Sequence, residues 1–158
     1  GDASVMIGTA EQLSVAGANM TLDIAEQGEY QFVFDASDLN NVTLKVLNAE
    51  MFAQTPVFIR GSLNGWGTDN PLMYEGNAVY STSIELEAGD YEFKVASEDW
   101  STVDYGGAGD APVATIGELI SLEAIGANIA LNITEQGTYT FKVIGPDREN
   151  VSILINKQ

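Results

Sequence analysis

Along much of this chain apolar and polar residues alternate with a period of two. Tyr30, Phe32 and Phe34 are separated by Gln31 and Val33, and Tyr91, Phe93 and Val95 by Glu92 and Lys94. Tyr139, Phe141 and Val143 repeat the pattern around Thr140 and Lys142. Successive side chains of a strand point to opposite faces, so each run predicts a half-buried strand. Each follows a glycine-containing turn: Glu26-Gln27-Gly28, Ala88-Gly89-Asp90 and Glu135-Gln136-Gly137. Further strands are predicted over 56–60, 79–86, 129–133 and 151–155, while 119–124 fits either a strand or a helical turn. Short strands at this spacing, with no long helical pattern, predict an all-β fold: an immunoglobulin-like antiparallel β-sandwich.

An internal repeat refines that expectation. The stretch Gly17-Ala-Asn-Met-Thr-Leu-Asp-Ile-Ala-Glu-Gln-Gly-Glu-Tyr-Gln-Phe returns as Gly126-Ala-Asn-Ile-Ala-Leu-Asn-Ile-Thr-Glu-Gln-Gly-Thr-Tyr-Thr-Phe, about 109 residues on. The match runs forward to Asn41-Val42 against Asn150-Val151 and, with a small gap, back to Asp2-Ala3 against Asp110-Ala111. Residues 1–48 thus copy residues 110–156, and the stretch 55–107 has no counterpart upstream. The predicted organisation is the back half of one module (1–50) followed by one complete module (55–156), as if a tandem array were cut inside a module. Half a sandwich leaves an apolar face and strand edges uncovered. Residues 1–48 are therefore expected either to find cover on the complete unit or to assemble with a second chain, as a homodimer or by strand exchange.

Composition removes several function classes. Twenty-three acidic residues against 6 basic ones leave a net charge of −17, which repels phosphate backbones and anionic lipid and argues against nucleic-acid or membrane partners. There is no cysteine and no histidine, so thiol nucleophiles, disulfides, the commonest general base and the commonest transition-metal ligand are all absent. No run of about 18 apolar residues is present. The N-terminus lacks a basic segment leading into an apolar one, so any signal peptide is expected to have been removed. No cofactor is implied. The acidic turn Asp35-Ala-Ser-Asp38-Leu39-Asn-Asn41 fails calcium-loop spacing at Leu39, where an oxygen ligand is required. The glycine-rich Tyr105-Gly-Gly-Ala-Gly lacks the ending of a phosphate loop and is expected to be a mobile loop beside Trp100.

The remaining chemistry concentrates between residues 61 and 102. Trp66 lies in Leu63-Asn64-Gly65-Trp66-Gly67, and Trp100 lies in Glu98-Asp99-Trp100-Ser101. Tryptophans in polar loops serve either as plugs for the end of a core or as exposed platforms. If Tyr91, Phe93 and Val95 face the core, Lys94 faces outward between the two loops, as an isolated donor or as an ordinary surface lysine. Indoles stack on the C–H face of a pyranose while an amine or amide bonds its hydroxyl rim. Two indoles held at an angle would favour a curved glucan. Tyr74 and Tyr105 are further candidate contacts.

Gly61-Ser-Leu-Asn-Gly-Trp66, then Tyr91-Glu-Phe-Lys94-Val-Ala, then Trp100, resembles the pattern of starch- and glycogen-binding modules. The pattern is that of family 48 carbohydrate-binding modules, the glycogen-binding domain of AMP-activated kinase, and the starch-binding modules of bacterial pullulanases, α-amylases and Sus-type outer-membrane lipoproteins. The resemblance covers residues 55–156. It implies that Trp66, Lys94 and Trp100 contact an α-1,4-glucan, with Asn128 the nearest match to a late asparagine of the family. The run from Trp100 to Asn128 is longer here than in the kinase domain, which puts the reach of Asn128 in question. The partial copy carries Asn19 at that place but no tryptophan or lysine partner, so one site per chain is expected.

Three function classes follow. The first is a non-catalytic module that attaches an α-glucan such as starch, glycogen or pullulan to a larger amylolytic protein carrying a catalytic domain, secreted or at the bacterial cell surface. The second is a structural or adhesive spacer whose tryptophans plug the core. The third is a glycosidase, which needs two carboxylates about 5 to 10 Å apart flanking a cleft, and no environment legible in the sequence obviously raises a carboxyl pKa.

Overall fold

The computed structural model describes residues 3–24, 28–48 and 50–158, and the expected turn at Glu26-Gln27 lies outside them. The first copy contains β1 (Ala3–Val5), β2 (Ala10–Gln12), β3 (Met20–Leu22), β4 (Tyr30–Asp35) and β5 (Thr43–Asn48). The expected complete unit contains β6 (Val57–Gly61), β7 (Met73–Gly76), β8 (Val79–Leu86), β9 (Gly89–Ser97), β10 (Asp104–Gly107), β11 (Val113–Ala114), β12 (Leu119–Ala124), β13 (Ile129–Ile133), β14 (Gly137–Ile144) and β15 (Val151–Lys157). One turn of 3-10 helix, Ser62–Asn64, follows β6. The alternating runs all became strands, and the ambiguous 119–124 stretch is β12.

The complete unit is a β-sandwich. In one layer β9 is the hub: β6 pairs with its second half, β13 with its first half, and β10 joins at Val95 and Ala96. The other layer runs β7-β8-β14-β15-β12, and β10 links β12 back to β9. The layers meet at Phe93 of β9 and Phe141 of β14, both fully buried, with ring centroids 5.5 Å apart in an edge-to-face arrangement. Ile59, Val95, Ile129 and Leu131 complete one inner face, and Tyr139, Val143, Ile153 and Ile155 the other. Pairing is antiparallel except for β1 with β3 and β11 with β13, which are parallel.

The glycine-rich stretch after Asp104 corrects the expectation of a mobile loop. It is β10, and its glycines answer a packing demand. A Cβ on Gly106 would lie 2.3 Å from the Ala127 carbonyl oxygen, so the chain can pass here only without a side chain.

The two copies share their pairing registers as well as their sequence. Ser4↔Thr21 of the first copy becomes Val113↔Ala130 in the second, Ala10↔Lys45 becomes Leu119↔Leu154, and Tyr30↔Asn48 becomes Tyr139↔Lys157. Their surroundings differ. β14 is paired on both edges, by β15 and β8, whereas β4 pairs with β5 alone among the described residues. Phe141 is 0% exposed, and its counterpart Phe32 is 60% exposed beside an equally open Phe34. The units touch elsewhere: Lys45 Nζ lies 3.4 Å from Asp147, Tyr74 donates to Glu29 at 2.9 Å, and Leu47, Met51 and Arg148 line a cavity of about 390 Å³. The first copy therefore finds partial cover on the complete unit at β5, and none over Phe32 and Phe34 among the described residues. Among the described residues no helix is long and apolar enough to cross a membrane.

Matched substitutions separate sequence from context. Phe141→Ala should cost about 4 kcal/mol by chemical denaturation, through lost burial plus the cavity left behind. Phe32→Ala, at the same position of the repeat but largely in solvent, should cost less than about 1 kcal/mol.

Candidate functional site

The outer face of the β6–β9 pair carries an unusual set of polar residues. Arg60 lies directly opposite Lys94, and Phe58 opposite Ala96, which also faces Asp104 of β10. Cross-strand partners share a face, so Arg60, Lys94 and Asp104 all lie on the side away from the core. Lys94 is on the face expected, but it is not an isolated exposed donor. It is 9% exposed, and its Nζ sits 2.5 Å from Asp104 Oδ1. That carboxylate oxygen is buried and has no other partner. Asp104 neutralises the lysine in place, and two ammonium protons remain for other acceptors.

Trp66 is presented by a tightly knotted loop. Asn64 Oδ1 accepts from the Gly61 amide at 3.0 Å, while its Nδ2 donates to the Ile59 carbonyl at 2.8 Å and to Asn70 Oδ1 at 2.9 Å. The Trp66 amide closes the turn by donating to the Gly61 carbonyl at 2.7 Å. Gly61 is required by proximity: a Cβ there would sit 2.1 Å from the Glu92 carbonyl oxygen. The Asn-Gly-Trp motif is thus a device for turning the chain sharply off a sheet strand.

Asp99 plays the same part for Trp100. One of its oxygens accepts from the Ser97 hydroxyl and from the amides of Ser101 and Thr102, and the other from the hydroxyls of Ser101 and Thr102 at 2.8 and 2.7 Å. Those hydrogen bonds, led by Ser97, Thr102 and Ser101, hold its carboxyl far below the ordinary carboxylate range. Both tryptophans have left-handed backbones, with φ of 63° at Trp66 and 60° at Trp100. For a residue with a Cβ this costs on the order of 1–2 kcal/mol each.

Arg60 joins the two loops. It is 8% exposed, and among the described residues no carboxylate pairs with it. Its Nε and Nη2 donate to the Trp66 carbonyl at 3.0 and 2.6 Å, and its Nη1 donates to the carbonyls of Ser97 at 2.8 Å and Glu98 at 2.9 Å. The guanidinium carbon also lies 4.0 Å from the centroid of the Trp100 ring, a stacked cation–π contact. Both indoles are partly buried, with centroids 5.9 Å apart and planes inclined at 47°. Arg60 covers one face of Trp100, and Trp66 packs beside the same ring.

The structure brings Trp66, Trp100 and Lys94 together, with Asn128 beside them. Asn128 precedes Ile129, the partner of Phe93, so it lies alongside Lys94. It is exposed and donates to Glu92 at 3.3 Å. The two tyrosines are set further into the fold. Tyr105 is 5% exposed; its ring packs on Phe52 in the core and its hydroxyl donates to the Arg148 carbonyl, while its edge lines the concavity beside Trp100. Tyr74 packs against Tyr80 and bonds Glu29, facing the first copy. Arg60, Asp104, Asn64 and Asp99 were not singled out from sequence. Arg60 carried a usable signal, since it alternates with core residues Ile59 and Gly61 on a strand whose inner face is apolar.

The ensemble gathers ring faces, hydrogen-bond donors and rigid turns on one outer face. Asp99, the best-braced carboxylate here, is shifted away from the range of a general acid. Among the described residues no cluster of three or more His, Cys, Asp or Glu could hold a metal.

No family model matches the chain, and no curated protein does. Among solved structures it is similar to one described as "Ligand induced structure of AmyP-SBD", with a TM-score of 0.52 and 20% identity over 66% of this chain and 73% of that one. At this identity the likeness concerns the fold.

Arg60→Lys should lower the thermal midpoint and broaden the tryptophan fluorescence spectrum, because a single ammonium cannot reach three carbonyls and a ring at once. The Asp99 knot sets a pH window. Its folded pKa is depressed, so its contribution is present above the ordinary value of 3.8 and lost only as pH falls below it. Tryptophan emission should be flat from pH 8 to about 4 and change in stronger acid, and Asp99→Asn should remove that component of the acid transition.

Proposed function

We propose that this chain is a non-catalytic carbohydrate-binding module for α-1,4-glucan: starch, glycogen, pullulan or maltooligosaccharides. The observation that carries the reading is the inclined indole pair, braced by Arg60 over an outward-facing Lys94. Two rings tilted by 47° suit successive pyranose faces of a curved chain, whereas a flat β-linked glucan suits coplanar rings. Lys94 and Asn128 supply donors to the hydroxyl rim. The fold likeness to AmyP-SBD, whose initials denote a starch-binding domain, supports the same class. Each stacked ring adds little beyond its burial, so affinity falls in roughly the micromolar to millimolar range. The module serves to hold a larger secreted or surface-attached amylolytic protein on its substrate. Its partial copy, with Phe32 and Phe34 open, offers a face for a second chain.

The test is retention in native gels containing starch, run beside pull-downs on insoluble starch, cellulose and chitin. Wild type should be held by starch alone. Trp66→Ala and Trp100→Ala should each abolish retention while keeping the wild-type circular dichroism, and retention equal to wild type in both variants would refute the platform. Maltoheptaose should shift wild-type tryptophan emission to the blue; indoles that emit blue beforehand and ignore the sugar would favour the spacer reading.

A further inference from the structure

Beside Trp100 a second concavity of about 440 Å³ opens, within the range of small-ligand sites. Trp100, Ser101, Thr102, Asp104, Ile125 and Arg148 contribute to its wall. Two features of that wall are not accounted for by pairing or burial of their side chains. Ile125 is 84% exposed and adopts a φ of 59°, a backbone that is a genuine outlier for a β-branched residue. Arg148 is exposed, and among the described residues its guanidinium has no hydrogen bond or ion pair.

The repeat supplies an internal control. The turn after β12 recurs after β2, where Ala16 occupies the place of Ile125 with a similar φ of 52°. The left-handed backbone therefore belongs to the turn, and the isoleucine does not. The Asp147 turn also recurs: Asp147 accepts from the Glu149 amide as Asp38 does from Asn40. There Leu39 stands where the second copy has Arg148. Both changes fall on the wall of this concavity, and both occur in the copy that carries the tryptophans.

We infer that the groove from Trp100 to Ile125 and Arg148 is an extension subsite that takes further glucosyl residues of the chain seated on the tryptophans. Ile125 offers an aliphatic surface to the C–H face of a sugar. Arg148 donates to ring-rim hydroxyls, and Ser101 and Thr102 border the same space. The groove is continuous with the indole pair through Trp100, so this inference rests on the glucan reading and adds to it a dependence on chain length.

Titration calorimetry with maltotriose and maltoheptaose tests it. Wild type should bind maltoheptaose about tenfold more tightly than maltotriose, one extra subsite being worth about 1.4 kcal/mol. In Ile125→Gly combined with Arg148→Ala that ratio should fall to about threefold or less. Ile125→Gly also relieves the left-handed strain, so it should not lower the thermal midpoint. Ala16→Gly, at the matching turn of the first copy, should keep the wild-type ratio. Equal losses for both sugars, or a wild-type ratio near one, would overturn the extension subsite and leave the indole platform standing. A wild type that binds neither sugar would overturn both.

Discussion

A buried guanidinium with no carboxylate partner among the described residues is the constraint on which the candidate site depends. In the low dielectric beneath two loops an unsolvated cation is costly, and Arg60 is tolerated because main-chain oxygens and an aromatic face surround it. Each acceptor it uses belongs to one of the two tryptophan-bearing loops or to the strand end that leads into one. Remove the cation, and those carbonyls face one another across a gap with nothing to hold them. The 5.9 Å spacing and 47° tilt of the indoles are therefore properties of a three-way bridge rather than of either loop alone. Lys94 and Asp104 support it from beneath, where a closed ion pair keeps a second positive charge near the first at reduced repulsion.

The repeat shows how much of β-structure is local and how much is not. Pairing partners carry over between the copies residue for residue, because alternation, turn chemistry and strand length travel with the sequence. Burial does not carry over. Phe32 and Phe141 differ in exposure because β8 and β9 exist for one copy and have no equivalent for the other among the described residues. Register is an instruction written in the strand; a core is an agreement between layers.

Much of the sandwich was legible for that reason. Period-two runs located β4, β9 and β14 and fixed the outward face of Lys94, and the further strand candidates matched β6, β8, β13 and β15 closely. Short strands such as β1, β2, β3, β7 and β11 were missed, since two to four residues carry too little alternation to register. β10 was misread because glycine is the residue of both flexible loops and crowded backbones, and only the neighbouring Ala127 carbonyl tells them apart. At the site, the tryptophans and lysine were visible through residue type and placement. Lys94 was read as free because Asp104 lies ten residues away, on a strand that had not been recognised. The burial of Tyr105 was missed with it, since one step along the unrecognised β10 turns a side chain from the outer face toward the core. Arg60 escaped attention because its hydrogen-bond partners are main-chain atoms, which leave no mark on composition.

That last property has a consequence for how such a surface changes over time. Every residue type offers a carbonyl, so the clamp imposes no side-chain identity at positions 66, 97 and 98. Trp66 and Glu98 can drift, or be exchanged deliberately, while the loops that display them stay braced. The scaffold separates the geometry of the platform from its chemistry, which makes it a reprogrammable display on which new ring or polar contacts can be tried without rebuilding the frame.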